Sequence, residues 1–361
     1  MADDPSIEQG EREPRRRGWL AGVAASALVV LARPDLIVIA LGGFLARGGI
    51  VLVAFPIIVL PTPAGLANVF APFVVQVYFG SVSIAALLLG AAVFLGLLIW
   101  LFAGGLVGAA CDVALIGAVA REEELLGTTS IDRDRAASGS RTIIKASVVR
   151  LVAHVPVFVV LALSALRIYQ ATYSELTSPF EVVTPLIVRI LTDVPDAIAA
   201  LVLTWILGEA AGGLAVRYLV LSGRSTAGAL ARGWWHLIRH PISSLGTLVA
   251  MDTVVLAAAV AAYATATVGW GLVEATTLGP GDSLLAIGAV VALIAAWLAG
   301  LAVIGIVVAW RGVAWTAEFL RLTRSMDRQP ATPAVEGVGT IGGSDDARPG
   351  DWSSADPSGT V

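Results

Sequence analysis

The chain has 361 residues, of which 57% are hydrophobic, and its mean hydropathy is +0.85. Because soluble domains contain only about 45 to 50% apolar residues, this composition excludes an ordinary soluble protein and predicts an integral membrane protein. The net charge is −4, with acidic residues gathered near the termini, and the single cysteine, Cys111, excludes an intrachain disulfide or a cluster of cysteine metal ligands.

The two ends of the chain are polar. Residues 1–17 are rich in charged side chains, and residues 329–361 are rich in Gly, Pro, Ser and Asp. Such compositions cannot build a hydrophobic core, so we expect a disordered tail at each end, the C-terminal one acidic. A single membrane domain is expected between them, at 18–328, with no separate soluble domain.

The first apolar segment, Gly18 to Ala32, is short. As a helix rising 1.5 Å per residue it would measure roughly 22 Å, which is too little to span a bilayer comfortably. Its basic start and its small-residue end at Ala32 are also typical of a secretory signal. Cleavage there would place every arginine-rich loop on the wrong face of the membrane, so we interpret the segment as an interfacial helix.

Six later stretches are apolar over the roughly 20 residues that a helix needs to cross the hydrocarbon core. We expect each to be helical, because lipid offers the backbone no hydrogen-bond partners and the sequence shows no alternating pattern of barrel type. The six predicted spans run approximately from Leu36 to Leu60, Val82 to Leu106, Ser147 to Ile168, Val194 to Leu219, Pro241 to Trp270 and Ser283 to Trp310.

Basic residues are concentrated on one side of these spans. They lie before span one, in the loops before spans three and five, and after span six, whereas the three opposite loops contain only Arg189. Because retained loops carry the excess of Lys and Arg, both termini are predicted to be cytoplasmic. The residues counted in this way are Arg12, Arg15, Arg16, Arg17, Arg33, Arg121, Arg133, Arg135, Arg141, Lys145, Arg150, Arg217, Arg224, Arg232, Arg239, Arg311, Arg321, Arg324 and Arg328.

The scarcity of lysine indicates the kind of organism from which the chain comes. Lys145 is the only lysine in the chain, which indicates a GC-rich bacterial genome. We therefore expect a multi-pass protein of the bacterial cytoplasmic membrane.

Three segments share one plan: "ASALVVLARPDLIVIAL", "ASVVRLVAHVPVFVVLAL" and "RGWWHLIRHPISSLGTLV". Each gives a short helical run, a basic residue near a proline, an outgoing span and later a returning span. The proline cannot continue helical hydrogen bonding, so it can redirect a helix from the membrane plane into the membrane. We predict an all-α, six-span bundle built from three tandem copies of an interfacial helix and a helical hairpin, at about 18–121, 141–222 and 226–320.

The third copy shows the predicted interfacial helix most clearly. At 100° per residue, Arg232, His236, Arg239 and His240 fall on one side of the helical wheel, and they are predicted to contact lipid headgroups. The histidine pair has the i, i+4 spacing of a metal site, but no third ligand lies nearby, so no metal is predicted.

Isolated charges inside the spans are the candidate functional residues. Arg47, Asp112, Glu209 and Asp252 lie in apolar surroundings, where a charge costs a few kcal/mol and normally faces the bundle interior or water. Arg47 and Asp252 lie at similar depth and are candidates for a pair, which Asp112 and Glu209 can join. Arg167 is expected to reach the outer interface. This polar network either fixes how the helices pack or forms a site, and glycines around Arg47 favour a site only weakly.

The sequence carries no catalytic signature. It has no HExxH, GxSxG, P-loop or dinucleotide-binding pattern, and the basic residues follow the membrane flanks rather than a nucleic-acid surface. We expect a non-enzymatic, lipid-associated membrane component without a cofactor, with membrane lipids and other membrane proteins as partners. The alternatives are a transporter of a small solute, such as an anion held by Arg47, and, less favoured, carboxylate chemistry inside the membrane. A cavity reaching Arg47 favours a transporter, whereas an enclosed Arg47 favours a structural role.

The segment "ALARGWWHLIRHPISSLGTLV" and the repeated layout resemble the polytopic membrane domain of some bacterial glycerophosphodiester phosphodiesterases and other bacterial multi-pass proteins. The resemblance implies a multi-pass helical membrane domain. The chain has no segment for the soluble catalytic barrel of that family, so the resemblance implies neither a reaction nor catalytic residues here.

Overall fold

The computed structural model describes residues 18–59, 75–76, 79–81, 83–125, 139–177, 186–278 and 283–327. The secondary structure within these ranges is helical, with no strand among the residues described. The chain divides into a large unit, Met1–Arg321, and a second unit, Leu322–Val361, whose described part is the end of the last helix. The predicted tails at 1–17 and 329–361 lie outside the described residues.

The described residues form a series of α-helices. We number them in chain order as α1 Trp19–Ala32, α2 Pro34–Phe44, α3 Ile50–Val59, α4 Ile84–Leu125, α5 Ser140–Ala153, α6 Val155–Thr177, α7 Leu186–Asp193, α8 Pro195–Ser222, α9 Thr226–Arg239, α10 Pro241–Leu278 and α11 Ser283–Asp327. A π-helical segment, Leu45–Gly49, joins α2 to α3.

Six helical segments are long and apolar enough to cross a membrane, which confirms the predicted number. They are Pro34–Ala54, Ile84–Glu122, Val155–Glu175, Pro195–Ser222, Pro241–Thr277 and Ser283–Thr323. The short apolar segment predicted before them is also helical, as α1.

The predicted bounds of several spans were wrong, because helices continue past the end of the apolar sequence. The second span was predicted to end at Leu106, yet α4 runs on to Leu125. The sixth was predicted to end at Trp310, yet α11 runs to Asp327. The third was predicted to begin at Ser147, but the helix is interrupted at His154, which separates α5 from α6. Helical hydrogen bonds are indifferent to side-chain polarity, so polar turns stay helical where they pack on neighbours.

Three short helices, α1, α5 and α9, are each 14 residues long, and each is followed directly by one of the membrane-crossing segments. Two of these segments begin with a proline, Pro34 and Pro241. Proline suits the first helical position because its missing N–H would have no partner there. At α9 the Ser225 side chain accepts a hydrogen bond from the Gly228 amide, which caps the helix.

The first span is broken in its middle. Within the π-helical segment, Arg47 and Gly48 leave helical geometry, and Gly48 has φ = 107°, a conformation that favours glycine. This segment lies directly on α4, since a Cβ added to Gly104 would lie 2.2 Å from the Ala46 carbonyl oxygen. Only a glycine at position 104 therefore allows this approach, which places Arg47 against α4.

The central helix of the bundle is α8. Its residues Ala210 to Val220 are all buried. A hydrophobic cluster joins α8 to α4, α5, α9, α10 and α11 and includes Leu214, Val149 and Leu248. A second hydrophobic cluster joins α1 and the first span to α4 and α11. It consists of Val30, Leu36, Ala40, Leu115, Ala118, Val119, Ala309 and Val313.

Helix α1 is held on the last two spans by tryptophan hydrogen bonds. The Trp19 indole N–H donates to Thr247 Oγ1 of α10 over 3.0 Å. The Trp310 indole N–H of α11 donates to the Val23 carbonyl oxygen over 2.9 Å and to Ser26 Oγ over 3.1 Å. The start of the membrane domain is thus fixed to its end.

Candidate functional site, a charged cavity between the spans

A cavity of about 780 Å³ lies between the spans. Its wall is formed by the first span, α4, α5, α6, α8, α10 and α11, so most of the bundle contributes. The ionisable side chains in the wall are Arg47, Asp112, Arg150, His154, Glu209, Arg217, Asp252 and Arg311.

The first half of the charged wall is a run of three ion pairs. Arg47 Nη2 lies 2.5 Å from Asp112 Oδ1. Arg150 then bridges two helices, because its Nη2 lies 2.8 Å from Asp112 Oδ2 and its Nη1 lies 2.8 Å from Glu209 Oε2. A guanidinium holds two carboxylates well, since its donors are fixed in one plane.

The second half continues from Glu209. Arg311 Nη2 lies 3.0 Å from Glu209 Oε1, and Arg311 Nε lies 2.9 Å from Asp252 Oδ1. His154 Nε2 lies 3.7 Å from Glu209 Oε2, so this carboxylate is the centre of the network. Positive and negative groups alternate without interruption from Arg47 to Asp252.

Arg47 is placed by the helix break. The π-helical segment lays its side chain across α4, where Arg47 Nη2 also donates to the Gly108 carbonyl oxygen over 2.5 Å. A Cβ added to Gly108 would lie 2.5 Å from Arg47 Nε. The small residues at positions 104 and 108 therefore make room for both the backbone and the side chain of the broken segment.

The network is most open at its two ends. The side chains of Arg47 and Asp252 are 31% and 27% exposed, whereas those of Arg150 and Glu209 in the middle are 15% and 12% exposed. Since the cavity borders all of them, the end groups are the ones best placed to meet a bound molecule.

Arg217 differs from the other cavity arginines. It is only 4% exposed, and among the described residues no carboxylate forms an ion pair with it. Its guanidinium donates to Thr316 Oγ1 over 3.2 Å and to the carbonyl oxygens of Gly213 and Gly312 over 2.9 and 3.4 Å. It also lies over the Trp315 ring, 4.2 Å from the centroid.

The four charges singled out in the sequence, Arg47, Asp112, Glu209 and Asp252, all line this cavity. Arg47 contacts Asp112, however, and not Asp252, which contacts Arg311. Arg167 is paired with Asp196 instead; their side chains are 54% and 64% exposed.

The sequence reasoning missed three cavity arginines, Arg150, Arg217 and Arg311, because it counted them as flanking charges. A usable signal was available. Each has apolar residues on both sides, in "SVVRLVA", "LAVRYLV" and "VAWRGVA". An arginine at the end of a span is normally followed by polar sequence.

The four residues of α9 and its C-terminal end that were predicted to contact headgroups differ in exposure. Arg232 and Arg239 are exposed and His240 is partly exposed, but His236 is only 2% exposed and its Nδ1 lies 3.0 Å from the Tyr218 hydroxyl. A headgroup contact for His236 was therefore wrong. The cause is the close packing of α9 on α8 at Gly233, where an added Cβ would lie 2.7 Å from the Ala211 carbonyl oxygen.

The exposed face of α9 mixes charge with apolar surface. Trp235 and Ile238 are 54% and 67% exposed, and the Arg239 guanidinium lies 5.0 Å from the centroid of the Trp235 ring. Burial and the nearby His240 lower the pKa of His236 to about 4, so its imidazole is neutral at pH 7. Among the residues described, no group of three or more His, Cys, Asp and Glu is arranged to hold a metal ion.

Comparisons of the chain with protein-family models, with curated proteins and with solved structures found no match. The function is therefore inferred from the geometry of the cavity alone.

Proposed function

We propose that the protein is a non-enzymatic, lipid-associated component of the bacterial cytoplasmic membrane, and that it binds a membrane-soluble ligand in the charged cavity. The observation that carries this proposal is that the ion-pair network borders a cavity of about 780 Å³ instead of being enclosed by packed side chains. Small-molecule sites have volumes of about 300 to 1,000 Å³. Charges inside a membrane are costly, so a network that faces open space favours a binding site.

The apolar part of the cavity wall supports a ligand that comes from the lipid phase. Four aromatic residues of the wall, Trp100, Phe102, Phe158 and Trp205, are 44%, 59%, 40% and 48% exposed. All four lie in apolar helices of membrane-crossing length, where an exposed side chain faces hydrocarbon. A ligand in the cavity would thus meet charges on one side and aromatic rings open to lipid on another.

The test is native mass spectrometry of the purified protein with membrane lipid extract, comparing two substitutions on one helix. Leu256→Trp adds bulk to the cavity wall, whereas Val260→Trp alters an exposed position of α10 outside that wall. We expect wild type and V260W to retain a bound species and L256W to lose it. Retention by L256W, or the absence of any bound species from wild type, would overturn the proposal.

Arg47→Ala separates a binding role from a structural one. Removing an exposed end of the network should release the ligand while the folded protein is retained, because Asp112 keeps its contact with Arg150. Unfolding of R47A with Arg167→Ala unaffected would instead assign the network to helix packing.

A second function, transport of a small solute, is favoured by the helix break at Arg47 and Gly48. Transporters often place discontinuous helices beside a substrate site near the membrane midplane, where the interrupted backbone can rearrange. Flux of labelled organic anions into proteoliposomes would support transport if it is lost in R47A. Binding without flux in the same vesicles would restrict the protein to ligand binding.

We further propose that both termini are cytoplasmic and that the membrane domain is a threefold tandem repeat. The three 14-residue helices, each followed by a membrane-crossing segment, support this organisation. A cysteine introduced at Asp282 in a Cys111→Ala background should react with a membrane-impermeant maleimide added outside intact cells. Protection of that cysteine would reverse the orientation.

A further inference from the structure

The charges that line the cavity do not balance. They comprise four guanidinium groups, on Arg47, Arg150, Arg217 and Arg311, and three carboxylates. The three carboxylates are fully used by the other arginines, which leaves Arg217 without a negative partner among the described residues. Four guanidinium groups against three carboxylates leave an excess of one positive charge in surroundings of low polarity, where an uncompensated charge is costly.

A second side chain at the same place lacks a hydrogen-bond partner among the described residues. Trp315, whose ring lies under the Arg217 guanidinium, is 4% exposed and lines the cavity. Its indole Nε1 is buried and has no hydrogen-bond partner in the described structure. Buried N–H groups nearly always donate a hydrogen bond. A donor without an acceptor, beside a guanidinium without a carboxylate, therefore indicates that an acceptor with negative charge belongs there.

We propose that the cavity binds the anionic oxygen headgroup of an amphiphile, a carboxylate or a phosphodiester. Arg217 supplies the positive charge that the headgroup balances, and Trp315 donates its indole N–H to a headgroup oxygen. This inference rests on the proposed binding function and names the class of ligand. Arg47, the most exposed cation of the network, is open to the same cavity and adds to the attraction.

The wall of the cavity favours an amphiphile over a free anion. A small anion such as acetate would leave the apolar wall, including Trp100, Phe158 and Trp205, without contact. An acyl chain covers such surface, which includes aromatic side chains in the wall of the cavity. The headgroup therefore gives orientation, while the chain fills the apolar part of the cavity.

The experiment measures binding by calorimetry in nonionic detergent at pH 8 with four probes. Palmitate and lysophosphatidylglycerol carry an anionic headgroup, hexadecanol has the same chain length as palmitate without the charge, and acetate has the charge without the chain. We expect the two anionic amphiphiles to bind wild type at least about ten-fold more tightly than hexadecanol, the usual effect of a charged hydrogen bond. Acetate should show no saturable binding.

Two substitutions locate the effect. Arg217→Gln removes the charge and keeps an amide donor, so palmitate should bind about ten-fold more weakly while hexadecanol is unchanged. Trp315→Phe keeps a ring and removes only the N–H, with an expected loss of about three-fold or more, so the test remains available if R217Q does not fold. Arg167→Gln, at the exposed pair, is the matched control and should leave the binding of every probe unchanged.

The outcomes separate the two proposals. Equal binding of hexadecanol and palmitate, still blocked by Leu256→Trp, would overturn the anionic headgroup and leave cavity binding intact. Acetate binding as tightly as palmitate would overturn the amphiphile. Binding that Leu256→Trp does not affect would overturn the proposed cavity function itself.

Discussion

Two groups of polar side chains lie along α8, about two and a half helical turns apart, and they differ in charge and in exposure. At Glu209 the helix contributes a carboxylate to the charged cavity, where two guanidinium groups and the His154 imidazole approach it. At Tyr218 the hydroxyl meets His236, and both rings pack on Phe319, with centroids 4.8 and 5.8 Å from it. We call Tyr218, His236 and Phe319 the histidine cluster.

The difference lies in what each group faces. The six side chains of the ion-pair network, which runs from Arg47 to Asp252, are 12% to 31% exposed. The histidine cluster is at most 7% exposed, and burial holds its imidazole in the neutral form. An ion-pair network thus lies in the more open of the two regions and a neutral imidazole in the enclosed one, in keeping with the cost of burying an unpaired ion.

The largest expected effect comes from removing the centre of the charged network. Glu209→Gln leaves Arg150 and Arg311 each short of a carboxylate in a mostly buried setting. We expect the free energy of unfolding to fall by about 3 to 5 kcal/mol, as when one partner of a buried ion pair is removed. Thermal unfolding in detergent measures this, and a loss below about 1 kcal/mol would show that the open network needs no central charge.

The histidine cluster should make stability sensitive to acid. The pKa of His236 in the folded chain, about 4, lies below the ordinary value of 6.5, so between these values the unfolded chain binds a proton that the folded chain does not. The contribution is complete above pH 6.5 and is lost as pH falls toward 4, by at most about 3 kcal/mol. His236→Gln should flatten this part of the stability curve, although His240 and Glu318 still face the site. Parallel curves for the two proteins would contradict a neutral, enclosed imidazole.

Two glycines on α4 test whether stability depends on the close approach of the broken first span to that helix. Gly104→Ala would place a Cβ 2.2 Å from the Ala46 carbonyl oxygen, so the π-helical segment must move away and Arg47 with it. We expect a loss of about 1 to 3 kcal/mol in unfolding free energy. Gly117→Ala is the matched control on the same helix, since nothing lies within 4 Å of its added Cβ. Equal melting temperatures of the two variants would contradict the close approach.

The smallest effect is expected at the exposed pair of Arg167 and Asp196. Their side chains are 54% and 64% exposed, so solvent screens the interaction. Asp196→Asn should leave the melting temperature close to that of wild type, which separates this pair from the network at Glu209. A marked fall in melting temperature would place the pair in a less polar setting than its exposure indicates.

Hydrophobic length was sufficient to predict six membrane-crossing helices, because the cost of unpaired backbone in lipid leaves a helix as the only solution for such stretches. It did not predict where the helices end. The polar ends of α4 and α11 remain helical beyond Leu106 and Trp310. A hydropathy window reports the surroundings of a segment, whereas helix ends depend on tertiary contacts.

The sequence reasoning also missed three of the seven charged groups of the cavity. Arg311 fell outside the sixth predicted span, whereas Arg150 and Arg217, although inside the third and fourth predicted spans, were counted as loop charges. The acidic members, Asp112, Glu209 and Asp252, were found because a carboxylate in an apolar stretch has no other explanation. Arginine near a span end has another explanation, the charge bias of cytoplasmic loops, and only the apolar residues on both sides of these three arginines separate the two roles. Burial of His236 was likewise hidden, because the helical wheel does not show where the protein interior lies.

The tryptophan contacts of α1 bear on the order in which the chain assembles. Trp19 and its partner Thr247 are 228 positions apart in the sequence, and Trp310 and its partner Val23 are 287 positions apart. These separations cover most of the membrane domain. During synthesis α1 leaves the ribosome first, yet its anchoring points on α10 and α11 are inserted last, and long-range contacts of this kind form late. These contacts of α1 can therefore form only after α10 and α11 have been synthesised.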